Sequence, residues 1–441
     1  MSTLSNPYLG SHPYLDASSQ QLEVRGTPQL VASTVVFLAV LFNFILCFVN
    51  TTLFAVSANI VMGVEVGLLG IALGLIWYRG YDLYAVVLLM TAYFFVVMLA
   101  RLEFDPKILR DLLIPIIFFF LGTRLGSVRH ADRLVTMLIF AALAAALFEW
   151  FALDTFLRYF DVIHYYQARG TEQSLEADAA SGLFIKGSDS TGGLFINGTR
   201  FDERQLLSFL GPHRVSGIFL EPVSVGNFCA IVFAWVLLRD RSHVWTFTAK
   251  VAAIATILVL ADARFGCYVS IATLIIYFLA RALRPTMLFL APFLMLLIIL
   301  GYASMHVNEA WDNTLAGRML STGNTLLALD PWQVLGLQNS AAFESGYSGD
   351  SGYGYILVKL GLVGMIAGWA LYAYAPVVDE DAWRFKAFVA FYVACLLTIS
   401  SSVFSIKTAA LLWFLFGTLN NPWRSILASS LTYPEENAVR S

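Results

Sequence analysis

Charge is what this sequence has least of. Only 13% of its 441 residues are Asp, Glu, Lys or Arg, about half the share of an ordinary soluble domain. That scarcity excludes a soluble enzyme carrying a single anchor. The net charge is −3 and no run of lysine or arginine occurs, so no nucleic-acid partner is expected. Cysteine is sparse as well. Cys47, Cys229, Cys267 and Cys395 each sit inside an apolar run, far from one another in sequence, which argues against a disulfide framework or a zinc site. The six histidines are scattered with no H-x-x-x-H spacing, so neither a metal nor another cofactor is expected. No signal peptide is expected either. The first 28 residues are polar, and the first apolar run is too long for a signal sequence.

What the chain does have is apolar length. Hydrophobic residues make up 59%, the mean hydropathy is +0.72, and there are 35 Phe, 19 Tyr and 10 Trp. This is the composition of an all-α polytopic membrane protein. Hydropathy gives about twelve spans, near 30–49, 53–76, 83–100, 108–123, 134–153, 216–238, 246–262, 265–281, 286–302, 352–374, 385–403 and 406–421. The chain then divides into a tail (1–29), five spans (30–153), a long loop (154–215), four spans (216–302), a second long loop (303–351), three spans (352–421) and a tail (422–441).

The distribution of cations orients these spans. With the N-terminus cytoplasmic, the loops expected inside carry Arg79, Arg124, Arg129, Arg133, Arg239, Arg241, Arg281, Arg284, Arg384 and Lys386. The opposite short loops carry Arg101, Lys107, Arg110, Arg264 and Lys407. Ten against five satisfies the positive-inside rule. Both tails are therefore expected in the cytoplasm and both long loops outside.

The first long loop repeats itself, with "GLFIKG" at 182–187 and "GLFING" at 193–198 joined by "SDSTG". This pattern predicts a β-hairpin. The second ends in "FESGYSGDSGYGYILVKLGLVG", rich in Gly, Ser and Tyr. Aromatic faces beside small polar groups suit sugar rings, and they also suit an interfacial aromatic belt.

Ionisable groups at membrane depth are costly and tend to be functional. Arg214 and Glu221 flank the start of the sixth span in "HRVSGIFLEPVSVGNF". On a continuous helix they would share a face two turns apart, with Pro222 opening a kink. Arg264 lies in "ADARFG", the tight turn between spans seven and eight, and Arg318 lies in "LAGRML" of the second loop. A guanidinium donates a planar pair of hydrogen bonds suited to phosphate. It also anchors spans at the headgroups. For Glu221 a buried ion pair with Arg214 competes with a functional role.

These stretches resemble the Arg-x-x-Gly-x-Phe-x-Glu-Pro signature of Wzy-type polysaccharide polymerases, in the O-antigen polymerase and ligase superfamily. "ADARFG" is similar to that family's Ser-Arg-Gly turn, with Ala263 in place of the serine. "GRML…PWQVLGLQNS…GDSGYGYILVKLGLVG" resembles its second outer loop, through Arg318, Gly336, Asp350-Ser351, Gly361 and Gly364, with Gln338 replacing a glycine. The resemblance covers roughly 210–375. Ligases of the superfamily carry a histidine in this loop, and here His306 lies far upstream, which favours a polymerase over a ligase; the length and span arrangement are similar to exopolysaccharide polymerases of the xanthan type.

The resemblance implies a GT-C-like glycosyltransferase of the bacterial inner membrane. It would act on polyprenyl-diphosphate-linked oligosaccharides at the periplasmic face, among membrane lipid and beside flippase and chain-length or export proteins. Arg214, Arg264 and Arg318 would hold the diphosphate, Asp350 would serve as base and Glu221 would orient. His213, Ser351, Tyr353 and Tyr355 would contact the sugar. The alternatives are an O-antigen ligase and a lipid-linked sugar transporter or flippase. A transporter is expected to show repeated halves and broken helices at the membrane midplane, and no repeated halves are visible in this sequence.

Overall fold

The computed structural model describes residues 26–78, 81–168, 206–306, 309, 314–338 and 351–422. The described residues are helical, with no strand among them. The expected hairpin at 182–198 lies outside the described residues, as does Asp350.

Twelve helices correspond to the twelve apolar stretches. They are α1 (Gly26–Thr52), α2 (Ala58–Ile76), α3 (Tyr81–Arg101), α4 (Pro106–Leu125), α5 (Val128–Phe151), α8 (Pro222–Arg239), α9 (Val244–Leu260), α10 (Arg264–Leu279), α11 (Pro285–Met305), α14 (Gly352–Tyr374), α15 (Glu380–Leu396) and α16 (Ile406–Leu419). Short helices α6 (Leu153–Tyr159) and α7 (Val162–Ala168) begin the first long loop, and α12 (Leu315–Leu327) and α13 (Pro331–Val334) lie in the second.

Eight of the helices are long and apolar enough to cross a membrane: α1, α2, α3, α5, α8, α10, α11 and α14. This is the architecture of a polytopic membrane protein. Helix α4 fails that criterion because it carries Lys107, Arg110, Asp111 and Arg124, while α9, α15 and α16 are 17, 17 and 14 residues long. Helices dominate because a backbone in hydrocarbon must satisfy its own N–H and C=O groups.

Helix α8 is the axis of the core. In its apolar window 89% of residues are buried, against 22% for α3 and α11. The outer faces of α3 and α11 present Leu88, Leu89, Leu99, Leu297 and Ile298, as lipid-facing helices do. Helices α4 and α16 cross closely, because a Cβ on Gly417 would lie 2.0 Å from the Phe119 carbonyl oxygen. Small residues admit this backbone approach.

Three features differ from the sequence expectation. The sixth span begins at Pro222 rather than 216. Residues 217–219 form a single 3₁₀ turn, and Gly217 and Leu220 take φ of +51° and +61°. Pro222 occupies the first helical position and opens no kink; its missing N–H costs nothing there. Arg214 and Glu221 therefore do not share one helix. Helix α15, on the eleventh apolar stretch, ends at Leu396 rather than 403, and residues 397–405 form a turn with a 3₁₀ segment.

Helix α14 is interrupted. Gly361 adopts φ +74°, and the turn after α13 packs into the break, with Gly336 at φ +72° against it. A Cβ on Gly361 would meet the Leu335 carbonyl oxygen at 2.3 Å. The carbonyls beside the break are taken up by α3. Arg101 donates to Val358 and Lys359 oxygens at 3.0 Å each, and the Tyr93 hydroxyl donates to Leu360 O at 2.6 Å. Lys359, 1% exposed, donates to Asp105 at 2.8 Å and lies 3.8 Å from Glu103.

Candidate functional site

At the end of the bundle that carries the long loops, several chain segments enclose a cavity of about 430 Å³. Arg214, Glu221, Arg264 and Arg318 all line it. They come from four segments: the stretch before the 3₁₀ turn, the start of α8, the start of α10 and α12. Ser400 and Ser402, from the segment between α15 and α16, complete the wall.

Local structure places these arginines. The turn between α9 and α10 is tight, with Asp262 fully buried at φ +44°. Its carbonyls receive Arg214, whose Nε donates to Ala261 O at 3.0 Å and whose Nη2 donates to Asp262 O at 3.3 Å. The Val215 amide adds a bond to Leu260 O at 3.2 Å, tying the two segments together. Arg214 is only 6% exposed. Arg264 follows two residues after Asp262, whose carboxylate lies 3.5 Å from Arg264 Nε.

Two glycines bring these segments close. A Cβ on Gly266 would fall 2.7 Å from the Cα of Gly226, so α8 and α10 touch backbone to backbone beneath the cavity. Arg318 sits in the first turn of α12, which is capped by Thr314 Oγ1 accepting from Gly317 N at 3.1 Å. Helix α12 is held down by Gly323, packed against Ala303 of α11, and by the Thr322 hydroxyl donating to Thr398 O at 2.7 Å.

Glu221 is the N-cap residue of α8 and lines the cavity wall. It accepts from Ser224 Oγ at 2.6 Å and forms an ion pair with the Lys407 ammonium. Lys407, 6% exposed, comes from the start of α16. From sequence Glu221 is considered as a partner of Arg214; the structure pairs its carboxylate with Lys407. Asn227 and Ser402 join α8 to the neighbouring wall at 3.1 Å.

Glu149, near the end of α5, is a residue that the sequence reading passed over. Its fully buried carboxylate accepts from Ser216 N at 3.0 Å and Gly217 N at 2.6 Å, which fixes the loop that presents Arg214. A carboxylate inside "LFEWF" is a charge at membrane depth, and that is the signal that marks it. Lys407 had been counted only as a loop cation; its partner lies 186 residues away in sequence.

The residues expected to contact sugar are placed elsewhere. His213 lies behind the cavity, 3.5 Å from Glu149 and tilted against the Trp150 ring. Ser351 caps α14 by accepting from Gly354 N at 3.0 Å. Tyr353 is fully buried, with its hydroxyl donating to Ala394 O at 2.9 Å. This is a core position and offers no platform to a ligand in the cavity. Tyr355 donates to Asp111 at 2.8 Å, within a cluster that includes Arg110 and Glu65. None of these four lines the cavity.

Among the described residues no group of three or more His, Cys, Asp or Glu could hold a metal ion. What the cavity offers is three guanidiniums held by a rigid frame. It suits a ligand with several anionic oxygens, since fixed donors in a water-poor site stabilise charge with little reorganisation. The chain matches no family model, no curated protein and no solved structure.

Proposed function

We propose that this protein polymerises polyprenyl-diphosphate-linked oligosaccharide units at the periplasmic face of a bacterial inner membrane. In this reading the twelve apolar helices all act as membrane spans in a GT-C-like arrangement. One observation carries the proposal: Arg214, Arg264 and Arg318, from separate parts of the chain, line a single cavity together with Glu221.

The reaction requires displacement at an anomeric carbon. The hydroxyl at the nonreducing end of a new lipid-linked unit attacks the anomeric carbon of the growing chain. The bond from that carbon to the diphosphate oxygen breaks, and the electron pair leaves with the polyprenyl diphosphate. Negative charge therefore builds on the diphosphate, where three guanidiniums stabilise it. The hydroxyl proton passes to a carboxylate. Asp350 is assigned that part. Glu221, already engaged by an ammonium and a hydroxyl, is better suited to orienting groups than to taking a proton.

The test is a purified-protein assay with a lipid-linked repeat unit. Chains longer than the supplied unit are expected, and they are lost in Arg214→Ala, Arg264→Ala and Arg318→Ala while protein level persists. Full-length polymer in two of the three variants would overturn the diphosphate clamp. Transfer of finished polymer to lipid A core would identify a ligase, and translocation without elongation a transporter. A deletion strain accumulating a single repeat unit is the cellular counterpart of the expected result.

A further inference from the structure

The wall of an anion-binding cavity is an unfavourable place for a carboxylate. Glu221 nevertheless lines the same cavity as Arg214, Arg264 and Arg318, and Asp262 already offsets part of the Arg264 charge from 3.5 Å. A second uncompensated anion would oppose any anionic ligand. It would also be free to swing onto a guanidinium and occupy the donors that the ligand needs.

Lys407 meets both difficulties. Its ammonium is almost fully enclosed and pairs with Glu221 Oε1, the same oxygen that accepts from Ser224 Oγ at 2.6 Å. Two donors from different helices thus hold one carboxylate oxygen. The lysine reaches this point because α16 begins at Ile406, just after the 3₁₀ turn 401–404 that supplies Ser402 to the cavity wall. Lys407 itself does not line the cavity. A buried cation that contacts a cavity residue from behind is placed to act through that residue.

We infer that Lys407 is a positioning residue that fixes Glu221 on the cavity wall and cancels its charge, so that the three arginines keep a net cationic site for a diphosphate group. The inference rests on the proposed function for the identity of the ligand. The charge argument itself concerns only an anion and this cavity.

The decisive measurement is binding of inorganic diphosphate to the full-length purified protein in detergent, across three variants. Lys407→Met removes the charge that balances the Glu221 carboxylate and is expected to weaken binding about tenfold or more. Glu221→Gln is expected to bind diphosphate more tightly than Lys407→Met. The double variant carries no charge at either position and is expected to return to within about threefold of wild type. A lysine that served stability alone would lower the thermal midpoint of Lys407→Met without weakening diphosphate binding by the folded protein.

In the polymerisation assay the Lys407→Met loss should fall on KM for the lipid-linked donor more than on kcat. Lys407→Arg, which keeps the charge, should restore most of it. The inference is overturned if Lys407→Met binds diphosphate like wild type, if the double variant is as weak as Lys407→Met, or if wild type binds no diphosphate. Should Lys407→Met fail to fold, the double variant against Glu221→Gln carries the test, and a double variant about tenfold weaker than wild type overturns it. If the binding series follows the expected order while wild type makes no polymer, the proposed function fails and the charge role stands. If polymer forms but the order is broken, the reverse holds.

Discussion

The cavity cluster and the cluster at the α3–α4 turn lie at the same end of their helices, and both bury arginine, lysine and carboxylate. Around the cavity, Arg214, Arg264 and Arg318 line the open space, Arg214 while donating to the Ala261 and Asp262 carbonyls. At the α3–α4 turn, Arg101 spends its donors on the Val358 and Lys359 carbonyls, Lys359 closes on Asp105, and Arg110 closes on Asp111 and Glu65. The second cluster is a plug for a broken helix. It satisfies carbonyls that the Gly361 break would otherwise leave bare, a costly condition in a membrane. Buried charge alone therefore does not mark a site in this protein. What distinguishes the two clusters is that the first lines a cavity and the second closes on a broken helix.

That contrast can be broken by mutation. The largest effect is expected from Lys359→Met, which strands Asp105 and Glu103 and should cost about 3–5 kcal/mol of stability, read as a lowered thermal midpoint in detergent. If the variant is as stable as wild type, the cluster is not a plug. Arg264→Ala, whose buried partner Asp262 keeps the Leu206 N–H at 3.1 Å, should cost less stability than Lys359→Met while lowering polymerisation about 10²–10³-fold, as loss of one fixed donor to developing charge does elsewhere. Equal losses of stability in the two variants would erase the distinction between the clusters.

Gly361→Ala comes next. A side chain at φ +74° that collides with Leu335 O should destabilise by about 1–3 kcal/mol. Tyr355→Phe removes one hydrogen bond to Asp111 and should cost about 1 kcal/mol, with polymer length unchanged. Persistent shortening of the polymer would return Tyr355 to the site.

The smallest effect is on acid stability. Burial raises the Asp105 carboxyl, but the hydrogen bond and charge of Lys359 and the N–H groups of Ile108 and Lys107 outweigh it and hold it below the usual range. A depressed folded-state pKa gives stability that is present above the unfolded value, about 4, and is lost as pH falls through the folded one. A modest drop in thermal midpoint is therefore expected below about pH 4. It should be absent in Asp105→Asn.

Much of this was legible in sequence for a simple reason. Hydropathy is a local quantity, and each of the twelve apolar stretches falls on a helix. The motif cations Arg214, Arg264 and Arg318 stood out because charge is rare here, and the same rarity flagged Glu221. Boundaries fared worse at the sixth span. The run 215–220 is apolar, yet two left-handed residues and Pro222 forbid a helix through it. For the tyrosines at 353 and 355, aromatic composition does not reveal which ring turns inward. Tyr353 turns inward and bonds Ala394.

By itself, then, the sequence determined a polytopic helical protein with rare charges concentrated towards one end of its spans, since both properties follow from transfer out of water residue by residue. Only the tertiary structure decided which of those charges share a cavity and which seal a broken helix. Pairings such as Lys407 with Glu221, or Arg101 with the carbonyls beside Gly361, join residues 186 and more than 250 positions apart. No local property of the chain encodes a contact that depends on how helices pack.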